Sequence, residues 1–205
     1  MKKHRRIEIN SMSSIKIGSI IIIAGSVLFI IAAFSPISRI FGIPAPERKL
    51  EIILSAPNQW ITAQIFFALG ALVTVAGLSI VTYSFRNQPF SVLLNISVAI
   101  LFIGASLWIW HVYLRAVDPQ LFTDRGIPVW YFATYTFLTQ IGLAFFGIAL
   151  LRTGLQNWVG WMMIGSMGFF FVLTIIFRDM PPFVYYIVTL ITGVMLYRAG
   201  PLLKS

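Results

Sequence analysis

The sequence predicts an all-α polytopic membrane protein: a bundle of six transmembrane helices with both termini in the cytoplasm. Three observations carry this. Six charge-free stretches separate the sparse charges: 17–38, 52–85, 87–114, 126–151, 153–177 and 180–197. Each can supply most or all of the roughly 17–25 helical residues that cross a hydrocarbon core. Apolar residues make up 59% of the chain and charged residues 10%, against about 25% charged in soluble domains. Five of the fifteen basic residues (Lys2, Lys3, Arg5, Arg6 and Lys16) precede the first stretch, as a cytoplasmic flank requires.

Lys and Arg in short loops orient the rest. With the N-terminus inside, Lys2, Lys3, Arg5, Arg6, Lys16, Arg86, Arg152, Arg198 and Lys204 lie inside, and Arg39, Arg48, Lys49, Arg115, Arg125 and Arg178 lie outside. The expected organisation is a basic cytoplasmic tail over 1–16, spans at about 17–37, 58–84, 90–114, 128–151, 157–177 and 181–198, and a short tail over 199–205. The first span is read as retained. Ala33-Phe34-Ser35 resembles a signal cleavage site, but the preceding apolar run, Ile17 to Phe34, exceeds the usual 7–15 residues. These features make the chain multi-pass; the expected location is a prokaryotic plasma membrane.

In the first outer connection, Pro46 to Leu54 suits a short helix, with proline in its first turn and Glu47 near its positive end. Leu50, Ile53 and Leu54 would share an interfacial face. Ser55 or Asn58 would cap the second span. Asn87-Gln88-Pro89 and Thr153 to Asn157 are terse inner turns, so spans two and three, and spans four and five, are antiparallel neighbours. Gly18, Gly25 and Ala32 recur every seven residues in span one, as do Ala63, Gly70 and Gly77 in span two. Such stripes let backbones approach closely where lipid supplies no hydrophobic drive. Gly142 and Gly147, and then Gly160, Gly165 and Gly168, add less regular patches. All six tryptophans (Trp60, Trp108, Trp110, Trp130, Trp158 and Trp161) fall near span ends, where interfacial belts form.

Several function classes lack their residues. Without cysteine there are no disulfides, thiolate metal sites or cysteine nucleophiles. The net charge of +9 is explained by the orientation signal without nucleic acid. One intramembrane histidine cannot make a two-histidine haem site, and carboxylates only in loops leave metals short of ligands. No catalytic constellation, metal or cofactor is expected. Every proline lies outside the span centres, so the broken helices of ion-driven transporters are not expected.

Polar groups within lipid are costly and therefore candidate site residues. Counting depth from span ends gathers Gln64, His111, Tyr131, Tyr135, Gln140 and Tyr186, with Arg115 one turn beyond His111, into an outward-opening pocket between spans two, three, four and six. For His111 the first reading is an interfacial imidazole bonded to Tyr131, Tyr135 or a lipid phosphate; ligand recognition comes second and acid–base chemistry third. Gln64 and Gln140 more often join helices by hydrogen bonds.

Asn157-Trp158-Val159-Gly160-Trp161, followed by Arg178-Asp179-Met180-Pro181-Pro182-Phe183 and Tyr186, resembles uncharacterised six-span bacterial membrane proteins of a domain-of-unknown-function type. The resemblance covers spans three to six and implies a six-helix integral membrane protein without an assigned activity. The expected function is therefore non-enzymatic: binding or passing a small apolar or amphipathic molecule in the outer half of the bundle, in contact with the lipid bilayer. The alternatives are a scaffold or accessory subunit with membrane-protein partners, and a membrane enzyme acting on lipid or quinone.

Overall fold

The computed structural model describes residues 2–153, 157–176 and 183–199. Within them every regular element is helical: α1 (Lys2–Ala33), a 3₁₀ segment (Pro36–Gly42), α2 (Pro46–Ser55), α3 (Pro57–Ser84), α4 (Ser91–Val117), α5 (Pro119–Thr123), α6 (Val129–Leu151), α7 (Asn157–Ile176) and α8 (Phe183–Ala199). Among the described residues, four stretches are long and apolar enough to cross a membrane: Ser14–Ala33, Pro57–Ser84, Ser91–Val117 and Val129–Leu151. Helix α8 is a shorter apolar helix.

The six longest helices close into a ring in the order α1, α3, α4, α6, α7, α8 and back to α1. Its α1–α3 side is built on the two small-residue stripes. A Cβ added to Gly25 would lie 3.0 Å from the Gly70 carbonyl oxygen, and one on Gly70 equally close to that of Gly25. Gly18 and Gly77 make a second reciprocal rung at 2.9 and 2.8 Å. The two seven-residue periods thus run antiparallel and mesh backbone to backbone. Gly147 and Gly160 join α6 to α7 in the same way, at 2.7 and 2.8 Å. Gly165 and Gly168 do not belong to a seam, since open space surrounds the Cβ position of each.

Hydroxyls tie other sides of the ring. Ser97 Oγ (α4) donates to the Gly142 carbonyl (α6) at 2.7 Å, and Ser26 Oγ (α1) bonds Thr189 Oγ1 (α8) at 2.8 Å. Aromatic rings fill the middle. Phe29 stacks on Tyr186 at 3.6 Å between centroids, and Trp108 stacks on Tyr135 at 4.7 Å. The Tyr135 and Tyr186 hydroxyls bond each other across the ring at 3.0 Å.

Several expected details are corrected. The boundary at residue 16 falls inside one continuous helix, and the first span ends at Ala33, not 37. Pro36 explains the earlier stop: its ring disfavours helical backbone in the preceding residue. Ser35 and Ser38 then donate their hydroxyls to the Ala32 carbonyl, at 2.8 and 2.7 Å, beside the Ser35 N–H at 3.2 Å, because Pro36, four residues on, has no N–H. Helix α3 begins at Pro57, with neither Ser55 nor Asn58 capping it; Ser55 instead bonds back to Ile52. Helix α2 forms as expected, but it buries Lys49 and Ile53 while Leu54 stays exposed. Helix α5 was not foreseen; Asp118 caps it by accepting from the Leu121 N–H at 2.8 Å.

Trp60 and Trp108 leave the expected belt, being 1% and 0% exposed. Their indoles point inward because each Nε1 has a carbonyl partner on the facing helix. Trp110, Trp130, Trp158 and Trp161 are exposed, as a belt requires. Arg178-Asp179 with Pro181-Pro182, most of the turn before Asn157, and the C-terminal tail lie outside the described residues.

Candidate functional site

The 3₁₀ segment, α2 and α5 gather over one end of the ring. Ile37, Ile40, Ile53, Trp60, Phe122 and Ile127 form a second apolar cluster there, distinct from the main core. Arg115 is buried beneath this cap, its guanidinium 4.8 Å from the Phe122 ring centre and 5.3 Å from that of Phe41. Lys49 Nζ approaches Phe122 at 5.8 Å. Cations over aromatic faces are stabilised by the ring quadrupole, by about 0.5–2 kcal/mol.

Below the cap, two indole bonds fix how α3 and α4 align. Trp60 Nε1 donates to the Arg115 carbonyl at 3.0 Å, and Trp108 Nε1 donates to the Phe67 carbonyl at 3.4 Å. Gln64 stands four residues after Trp60 and three before Phe67; His111 stands four before Arg115 and three after Trp108. The antiparallel register therefore sets Gln64 and His111 at one level. Both are buried, and the amide atoms of Gln64 and both ring nitrogens of His111 have no hydrogen-bond partner among the described residues. Trp108 and Phe132 flank the imidazole at 5.7 and 6.2 Å. The expected bonds from His111 to Tyr131 or Tyr135 are not formed; Tyr135 is turned to Tyr186, and the half-buried Tyr131 stacks on Trp130 at 3.9 Å.

The remaining candidates form successive layers. Tyr135 and Tyr186 share the level of Trp108 and Phe29. Gln140 is buried deeper, between the levels of Tyr135 and Gly142, roughly 12–15 Å along the axis from His111 at 1.5 Å per residue. Gln140 is thus not gathered with Gln64 and His111, because it stands at the middle of α6, while His111 lies within two turns of the end of α4. Near the ring centre, a cavity of about 20 Å³ lies among Thr74, Thr139, Tyr135, Tyr186 and Thr189, room for a single water.

A larger space opens on the other face of α3. The stripes put Ala32 and Ala63 seven residues beyond Gly25 and Gly70, as a third rung. Helix α1 stops one residue later, and the two walls part into a groove of about 380 Å³. Ile31, Ala32, Ile37, Ala63 and Phe66 supply its apolar wall; Ser35, Asn58, Gln59 and Thr62 supply its polar rim. Sequence reading missed these rim residues. In sequence Asn58 reads only as a cap candidate, and Ser35 only as part of a cleavage-like site.

Among the described residues no group of three or more His, Cys, Asp or Glu could hold a metal. Among the described residues the architecture defines a class, an all-helical protein with four helices fit to cross a bilayer. No protein-family model, curated protein or solved structure matches the chain.

Proposed function

We propose that the chain crosses a prokaryotic plasma membrane six times with both termini in the cytoplasm, and binds a small apolar or amphipathic molecule in the α1–α3 groove. The capped end then faces outward. The Lys and Arg distribution supports this orientation, and the resemblance of the spans to six-span bacterial membrane proteins supports the count. The observation that carries the binding reading is the groove. Its volume lies within the roughly 300–1,000 Å³ of small-molecule sites, and its apolar wall with few polar groups matches their usual lining.

In this reading the groove takes the ligand. Tyr135 and Tyr186 join α6 to α8, Gln64, His111 and Gln140 stay within the bundle interior, and Arg115 and Tyr131 support the cap. Native mass spectrometry of the purified protein and of Thr62→Trp tests it. Thr62 is exposed and lines the groove, so the indole fills it without entering the core. A retained small molecule on the wild type, absent from an equally heat-stable Thr62→Trp, is the expected result. A co-purifying protein in its place would favour the scaffold-subunit alternative.

A further inference from the structure

At the ring centre one hydroxyl proton is left over. Tyr135 and Tyr186, both buried, bond each other at 3.0 Å. Each phenol carries one O–H, and a bond between two phenols uses only one of their two protons. Neither hydroxyl makes another hydrogen bond among the described residues, so the second proton has no acceptor there. In a membrane interior such a group needs a partner.

Two more hydroxyls stand one turn further along the same helices. Thr139 follows Tyr135 on α6; it is 8% exposed, and its hydroxyl makes no hydrogen bond among the described residues. Thr189 follows Tyr186 on α8 and donates to the Tyr186 carbonyl at 3.3 Å. Its bond to Ser26, at 2.8 Å, is therefore accepted, which leaves one lone pair on Thr189 Oγ1.

The cavity of about 20 Å³ lies among these four side chains. A buried water needs roughly 10–15 Å³ of such space and two to four polar partners. The site offers three: the spare phenolic proton, the Thr139 hydroxyl and the Thr189 lone pair. Helix α7 separates α6 from α8 in the ring, so a molecule held here spans two helices that are not neighbours.

We infer that the ring centre is a binding site for one water molecule. It accepts the spare proton of the Tyr135–Tyr186 pair and donates to Thr139 and Thr189, tying α6 to α8.

Two isosteric substitutions on α6 test this. Thr136 and Thr139 are both buried, and neither hydroxyl has a partner among the described residues. Thr139 lines the cavity and Thr136 does not. Replacing a buried, unpaired hydroxyl by a methyl group is neutral or stabilising, whereas replacing one bonded to water loses that bond. Thr139→Val should therefore lower the melting temperature in detergent by a few degrees, and Thr136→Val should not. Thr139→Val melting at or above wild type, or Thr136→Val falling as far, would overturn the inference. Crystals grown in lipid, at a resolution that shows ordered water, give the second measurement. One peak should lie about 2.5–3.2 Å from a phenolic oxygen and from Thr139 Oγ1, and vanish in Thr139→Val. No peak at the ring centre, with waters resolved elsewhere in the interior, would equally overturn it.

Discussion

Gln64 on α3 and His111 on α4 stand level with each other, midway between the two indole hydrogen bonds that align their helices. Each is buried and without a hydrogen-bond partner among the described residues. In a membrane interior an unpaired polar group costs several kcal/mol. Their shared level lets each satisfy the other, by a side-chain rotation or through one shared water. Removing a single partner should cost about 1–3 kcal/mol, whereas replacing both by apolar groups should be nearly neutral. Detergent thermal melts of Gln64→Leu, His111→Leu and the double variant check this. Additive effects would show that the two residues are independent.

His111→Phe separates this layer from the groove. The imidazole lies on the α4 side of α3, and the groove on the α1 side. The substitution should lower stability and leave occupancy of the groove unchanged in native mass spectra. Loss of the bound molecule without loss of stability would return His111 to the binding site.

The glycine seam gives a contrast within one molecule. A Cβ on Gly70 would lie 2.7 Å from Phe29 Cβ, while Gly165 has open space around it. Gly70→Leu should destabilise by about 1–3 kcal/mol or prevent folding altogether. Gly165→Leu and Leu72→Ala, both on exposed faces, should melt close to wild type. Equal melting of Gly70→Leu and wild type would remove the seam from the account.

Topology is checked independently of packing. Reporter fusions after Ser205 and within the connection at Glu47 should report opposite compartments, Ser205 in the cytoplasm. A shared compartment would contradict six spans.

How much was legible in the sequence depended on which coordinate a residue pattern encodes. Charge spacing records position along the bilayer normal, so each long helix falls over an expected stretch, although α1 starts at Lys2 and stops at Ala33. Two seven-residue stripes of small residues record azimuth as well, and they foretold that spans one and two carry packing seams. The tryptophans did not: a Trp near a span end has the right depth for a belt whether it faces lipid or, like Trp60 and Trp108, a partner carbonyl. Gln140 was misplaced because it stands at the middle of α6, not in its outer half, whereas His111 lies within two turns of the end of α4. The groove was illegible because it needs two facts together: the third rung at Ala32 and Ala63, and the proline that stops α1 just beyond it.

The central claim is that the parted ends of α1 and α3 hold an amphiphile. A structure of the wild-type protein in lipid nanodiscs, resolved well enough to show bound chains, tests it most directly. The account predicts one elongated non-protein density along Ile31, Ala63 and Phe66, with its polar end at Asn58 and Gln59. A groove closed by its own side chains, or left without density while lipids are resolved elsewhere around the bundle, would contradict it.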